Sequence, residues 1–333
     1  MNVNNPNIKH KGFIDKPIEG SVDLVEEIER MKKEKNAILL GHYYQTNNIQ
    51  DISDYLGDSL KLSQVAADTK ADMIIFAGVH FMAETAKILS PEKKVIIPDM
   101  NAGCSLAESC SPEQFIAFKN QYPDHTVISY VNTTAKIKTM TDICCTSTNA
   151  LQIVNYLPSE EKILFAPDQN LGNYIKRMSG RENMVVYPGS CHVHEEFSTE
   201  RIAELKKKYP NAKLIAHPEC EKTILIMADH VGSTSSLLKF TQDDDASQYI
   251  VATESGIIHQ MKKQNPEKHF IVAPPKDSTC GCIDCNYMKL ITMGKIYNSL
   301  KYEWPTVELD QETIQLAKKP INKMLEISRK LGL

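Results

Sequence analysis

The chain repeats itself three times, and this periodicity restricts the available folds more than any other feature. Three apolar, strand-like runs each end in a polar motif: Ala37 to His42 and Tyr44, Val127 to Tyr130 and Asn132, and Lys213 to His217 and Glu219. About 16 residues later comes a small hydroxyl-bearing motif, Gly57-Asp58-Ser59, Thr146-Ser147-Thr148 or Gly232-Ser233-Thr234. A second apolar run follows (Ile75 to Gly78, Leu164 to Pro167, Ile250 to Thr253), then a helix-like stretch, then a third run leading to Cys104, Cys191 or Cys285. Ser59, Ser147 and Ser233 lie 88 and 86 residues apart, and the three cysteines 87 and 94.

A repeated βαβαβ unit accounts for these spacings. The expected fold is α/β: three pseudo-symmetric, three-layer αβα domains with short parallel sheets around a central cluster site. Crossovers should be right-handed, and polar loops beyond the carboxyl ends of the strands should converge on one site. The units are read at 21–110, 111–200 and 201–300, after an N-terminal arm at 1–20 and before a C-terminal segment, 301–333, that packs back on the body. Ser21 is a candidate cap for a first helix carrying Leu24, Ile28 and Met31. In the last segment Ile314 and Ala317 keep helical spacing up to an expected break at Pro320, with Ile321, Met324 and Leu325 beyond it.

Charge and hydropathy exclude two classes of partner. Thirty-eight Lys+Arg against 42 Asp+Glu leave a net charge of −4, which offers no basic footprint for nucleic acid. The longest apolar stretch, about seven residues from Met73 to Val79, is too short to span a membrane. The first residues have no apolar core of a secretory signal, so a cytoplasmic protein is expected.

Nine cysteines cannot all pair, and in this setting free thiols or metal ligands are expected. One cysteine at the same point of each of three units would bring three thiols to the pseudo-threefold axis. A structural zinc site or an electron-transfer cluster is normally closed by four protein ligands. Three thiolates suit a cubane with one iron left open as a Lewis acid. Cys110, Cys144, Cys145 and Cys220 read as core residues. The Cys280-Gly281-Cys282 stretch before Cys285 leaves open a separate zinc site or a redox-active pair.

Hydroxyls in turns that lead into helices suit anions, and Ser59, Ser147, Ser233 and Thr234 are candidates for carboxylate or phosphate. No Walker loop or dinucleotide fingerprint is present. His42, Tyr44, Tyr130, Asn132, His217 and Glu219 fall just past strand ends, where a core residue would be apolar. Glu219 beside histidines suits proton transfer, and His194 would sit on the cluster's rim. His192, His230 and His259 have no counterpart at matching repeat positions.

These motifs resemble the quinolinate synthase family. The resemblance rests on Gly41-His-Tyr-Tyr-Gln45, Gly57-Asp-Ser59, Asn101 to Ala107, Tyr130-Val-Asn132, Thr146 to Ala150, Gly189 to His194, His217-Pro-Glu-Cys220, Gly232-Ser-Thr234 and Cys285-Asn-Tyr-Met288, in the family's order. It implies an oxygen-sensitive 4Fe–4S cluster held by Cys104, Cys191 and Cys285. It also implies condensation of iminoaspartate with dihydroxyacetone phosphate to quinolinate, with loss of phosphate and two waters, in NAD biosynthesis. By carry-over His42, Ser59, Tyr130, Asn132, Ser147, His217, Glu219 and Thr234 would bind substrate, while Tyr44 and Glu219, with His217 beside them, would handle protons. An oxidase supplying iminoaspartate would be a transient partner. Asn286 departs from the proline that many members carry after the last ligand. An open-iron hydro-lyase, an iron–sulfur sensor and a zinc protein are the rival classes.

Overall fold

The computed structural model describes residues 11–277 and 283–333. It contains twelve strands in three four-stranded sheets. The first holds β1 (Ala37–His42), β2 (Tyr55–Gly57), β3 (Met73–Ala77) and β4 (Lys94–Ile96). The second holds β5 (Thr126–Tyr130), β6 (Ile143–Cys145), β7 (Ile163–Ala166) and β8 (Met184–Val186). The third holds β9 (Lys213–Ala216), β10 (His230–Val231), β11 (Gln248–Ala252) and β12 (His269–Val272). The strand orders are β2-β1-β3-β4, β6-β5-β7-β8 and β10-β9-β11-β12, every pairing parallel. Helices flank each sheet, so the fold is the expected threefold α/β arrangement. Near-continuous burial along β1, β3, β5, β7 and β11 shows both sheet faces covered.

The second strand of each unit positions the site, and the sequence runs did not reveal it. It has only three, three and two residues, too few to show a pattern. In each unit an aspartate just ahead of it sets its register. Asp54, Asp142 and Asp229 each donate their backbone N–H to a carbonyl of the first strand (Leu39, Val127, Leu214). The same carboxylates accept the N–H of those residues at 2.7, 2.8 and 2.7 Å. His42 is thereby paired with Gly57, Tyr130 with Cys145, and Ala216 with Val231. Each hydroxyl motif therefore begins beside the end of the strand that carries its unit's polar residues.

Two expectations are corrected. The first helix, Leu24–Glu34, is capped by Asp23 rather than Ser21, because the Asp23 carboxylate accepts from the N–H groups of both Val25 and Glu26. The last helix runs unbroken from Gln311 to Lys330 through Pro320. An internal proline costs about 3 kcal/mol, but Ile314, Ala317 and Pro320 are buried before the expected break and Ile321, Met324 and Leu325 after it. Packing on both sides holds the two halves in line. The N-terminal arm is pinned from residue 11 onward: Ile14 is buried, and Asn298 Nδ2 donates to the carbonyls of Ile14 and Lys16.

The core is unequally shared. One hydrophobic cluster runs through the first sheet, much of the second and the last helix, whereas the third sheet has separate clusters on its two faces. Asn149 Nδ2 reaches Ser328 Oγ at 2.9 Å, tying the second unit to the last helix.

Replacing Asp142 with Ala leaves the buried Val127 N–H without its acceptor. An unpaired buried donor costs about 1 kcal/mol or more, so the urea midpoint should fall with no change in the slope; an unchanged midpoint would refute the register role.

Candidate functional site

The loops beyond the strand ends form a cavity lined by side chains of all three units. Cys104, Cys191 and Cys285 line it together. Each immediately precedes a four-residue helix: Ser105–Glu108, His192–Glu195 and Asn286–Lys289. Among the described cysteines these three are partly accessible, while Cys110, Cys144, Cys145 and Cys220 are buried. Burial pushes the Cys104 thiol up to about 12 and Cys285 to about 11, and raises Cys191 further. Backbone N–H groups of the short helices act in the opposite sense on all three sulfurs. Burial thus favours the neutral thiols, while the N–H donors aimed at the sulfurs would stabilise thiolates holding a cluster. Three converging thiols with N–H support fit a cluster held by three cysteines. Cys280 and Cys282 lie outside the described residues.

Side chains of neighbouring units tie these short helices together. Ser105 Oγ lies 2.7 Å from His192 Nδ1, and Tyr287 donates to Glu108 at 2.8 Å. Glu254, buried at the end of β11, accepts the Cys285 N–H and pairs with Lys289 at 2.8 Å. Lys289 in turn donates to the Tyr44 carbonyl at 2.6 Å. The Tyr43–Tyr44 backbone comes so close to Gly256 that a Cβ there would lie 2.9 Å from the Tyr43 oxygen.

Beside the thiols lies a network of titratable groups, and its members are almost fully buried. Tyr130 donates to Glu219 Oε1 at 2.6 Å. His194 Nδ1 lies 3.1 Å from Glu219 Oε2, off the line of a good hydrogen bond, and its Nε2 meets Thr253 Oγ1 at 3.0 Å. Burial alone would raise the Glu219 carboxyl, but His194 beside it and the hydrogen bond from the Tyr130 hydroxyl act in the opposite sense and hold it below the ordinary carboxylate range. Cys191, His194 and Glu219 bring a sulfur, a nitrogen and an oxygen within 4.8 Å of one another, a donor set compatible with a metal.

His42 and His217 occupy matching positions and are oriented in the same way. The Nδ1 of each accepts the backbone N–H two residues on, from Tyr44 at 3.1 Å and from Glu219 at 3.3 Å. A backbone N–H can only donate, so the ring proton is on Nε2. His217 Nε2 then donates to Ser147 Oγ at 3.2 Å. Burial lowers His42 to about 4 and His217 to about 3, so both rings are neutral near pH 7. Tyr44 bonds to the hydroxyls of Thr234 and Thr253, both at 2.8 Å, and burial keeps its proton on.

Asn132 lines the cavity at the tip of a tight turn closed by Thr133 N–H to Val131 O, and its buried Oδ1 has no protein partner. Lys138, fully buried, clasps that turn by donating to the carbonyls of Val131 and Thr133. Ser59, Ser147 and Thr234 line the cavity. Ser233 does not; its hydroxyl caps the helix Thr234–Asp243 by accepting from Ser236 N–H. Asp58, Lys138, His192 and Glu254 were absent from the sequence reading as site residues. Glu254 and His192 each stand one or two residues from a repeat-aligned motif, which was the available signal.

A model of the quinolinate synthetase A protein family matches residues 26–326. The chain belongs to this family. Among curated relatives, the quinolinate synthase of Thermosynechococcus vestitus is 55% identical over 307 residues, covering 92% of this chain and 96% of that protein. That of Synechocystis is 56% identical over 306 residues, with 92% and 96% covered. That of Chloroherpeton thalassium is 51% identical over 308 residues, with 92% and 95% covered.

Neutral buried histidines have a consequence for stability. Their folded values lie below the ordinary histidine value of 6.5, so between about pH 6.5 and 4 the unfolded chain binds the extra protons and stability falls as the pH is lowered. Replacing both His42 and His217 with Gln should flatten that slope in pH-dependent urea unfolding. An unflattened slope would show that the rings are not held neutral.

Proposed function

We propose that this chain is a quinolinate synthase that condenses iminoaspartate with dihydroxyacetone phosphate, giving quinolinate, phosphate and two waters. Carbon, nitrogen, oxygen and phosphorus balance in that sum with no electrons left over, so the chemistry needs acid–base and Lewis-acid groups and no redox partner. The reading is carried by one observation: three thiols from three units share a cavity with a buried, hydrogen-bonded carboxylate. Cys104, Cys191 and Cys285 would hold a 4Fe–4S cluster, which when bound supplies a Lewis-acidic iron for a substrate oxygen.

The chain's own groups divide the remaining work. Ser59 and Thr234 open helices of ten residues each, where free N–H groups and hydroxyls favour anions. With Ser147 they would hold carboxylates and phosphate. Asn132 Oδ1, without a protein partner, would accept a hydrogen bond from substrate, and the Nε2–H of His42 would donate, while that of His217 holds the Ser147 hydroxyl. Glu219 and Tyr44 sit at opposite ends of the proton scale, one held ionised and the other protonated. This is the pairing expected of a base and an acid. Tyr130 and His194 orient Glu219. Holding both small substrates in one dry cavity supplies proximity. The oxidase that makes iminoaspartate would be a transient partner. No helix among the described residues is long and apolar enough to cross a membrane, and a cytoplasmic workplace is part of the proposal.

The test is anaerobic reconstitution with iron and sulfide, followed by incubation with both substrates and detection of pyridine-2,3-dicarboxylate; its absence from a cluster-loaded sample would reject the reading. Cys285→Ser should lose cluster absorbance and product together. Glu219→Gln should keep the absorbance and lose about 10²-fold or more in kcat, the scale of a general acid–base group. Near-normal turnover would remove Glu219 from the mechanism.

A further inference from the structure

Asp58 bonds to all three units at once. Its Oδ1 accepts the Lys61 N–H at 3.0 Å and so caps the helix Ser59–Asp68 within its own unit. Its Oδ2 accepts the Thr148 hydroxyl of the second unit at 2.8 Å and the Ser235 hydroxyl of the third at 2.6 Å. The residue is 6% exposed. Each group in this knot is the chain neighbour of a hydroxyl that lines the cavity: Asp58 precedes Ser59, Thr148 follows Ser147, and Ser235 follows Thr234. Asp58 also lines the cavity itself, whereas Thr148 and Ser235 do not.

Neighbouring residues cannot move independently over more than a fraction of a residue length, so bonds that fix the knot also fix the spacing of the three cavity hydroxyls. The choice of a carboxylate has a cost, because a buried negative charge stands beside a site built for anions. A neutral cap would have served the helix alone, since that role uses only Oδ1. The two bonds at Oδ2 are charge-assisted, and they join units that come together only in the folded molecule. We propose that Asp58 is a positioning residue that sets the mutual spacing of Ser59, Ser147 and Thr234. It thereby determines how tightly the cavity holds a ligand with two anionic groups, a carboxylate pair or a carboxylate and a phosphate. This rests on the assignment of those hydroxyls to substrate anions in the proposed function.

The experiment uses the cluster-loaded full chain and reads the calorimetric affinity for pyridine-2,3-dicarboxylate, the KM values, kcat and the cluster absorbance. The double variant Thr148→Val with Ser235→Ala leaves every cavity-lining group in place and the Asp58 cap intact. It should weaken dicarboxylate binding and raise KM by about tenfold, with a smaller change in kcat and an unchanged absorbance. Asp58→Ala should show a similar loss, and the triple variant should be no worse than Asp58→Ala, because all three act through one knot. Asp58→Asn, which keeps the Oδ1 acceptor and can donate to a hydroxyl, should recover part of the affinity. Binding by the double variant within about twofold of the parent, or losses that simply add in the triple, would overturn the proposal. Should Asp58→Ala fail to fold, the double variant alone decides. If the parent protein neither binds nor makes the dicarboxylate, the proposed function fails. The same variants are then titrated with inorganic phosphate, and equal affinities across them overturn the role of Asp58.

Discussion

A parallel sheet delivers all its strand ends to one edge, and everything at the cavity depends on that constraint acting three times. Within each unit the decisive bond pair is small: an aspartate backbone N–H given to the first strand and a first-strand N–H taken by its carboxylate. This fixes the short second strand in register. A shift of one residue would turn Ser59, Ser147 or Thr234 away from the residues they meet. The same sheet geometry places each cysteine beyond the fourth strand of its unit, ahead of a short helix.

Polar groups at this density in a nearly closed space are costly unless each finds a partner. The structure meets the requirement across unit boundaries. Tyr130 of the second unit serves Glu219 of the third, Tyr44 of the first serves Thr234 and Thr253 of the third, and Ser147 of the second receives His217 of the third. No unit could assemble this network alone. Asn132 Oδ1, which lines the cavity, has no protein partner.

What the sequence revealed, it revealed through recurrence. Cys104, Cys191 and Cys285, and the polar motifs after the first strands, repeat at nearly constant spacing, so their common edge of the fold was legible. The second strands were too short to carry a period, and the clasping aspartates repeat at 88 and 87 residues but look like ordinary surface acids. Ser233 and Thr234 could not be told apart in sequence, because a cap residue and the first helical residue differ by one position and point to different places. Ser21 and Asp23 posed the same problem at the first helix. Pro320 misled for a different reason: its local penalty was visible, and the packing that outweighs it was not. His192 and Asp58 act on partners 87 to 177 residues away, fixed only by the tertiary fold.

The unequal sharing of the apolar core has a mechanical meaning. The last helix welds the first two units through aliphatic side chains, and separating them would bring Ile321, Met324 and Leu325 into water. The third sheet is joined to its neighbours both by apolar side chains, Val193 and Phe197 being buried in its core cluster, and by hydroxyls, amides and carboxyls at Tyr44, Gln50 and Asp58. His217, Glu219 and Thr234 lie on the third-sheet side of that seam and bond to Ser147, Tyr130 and Tyr44 across it. Any displacement of the third unit would therefore change all three distances together.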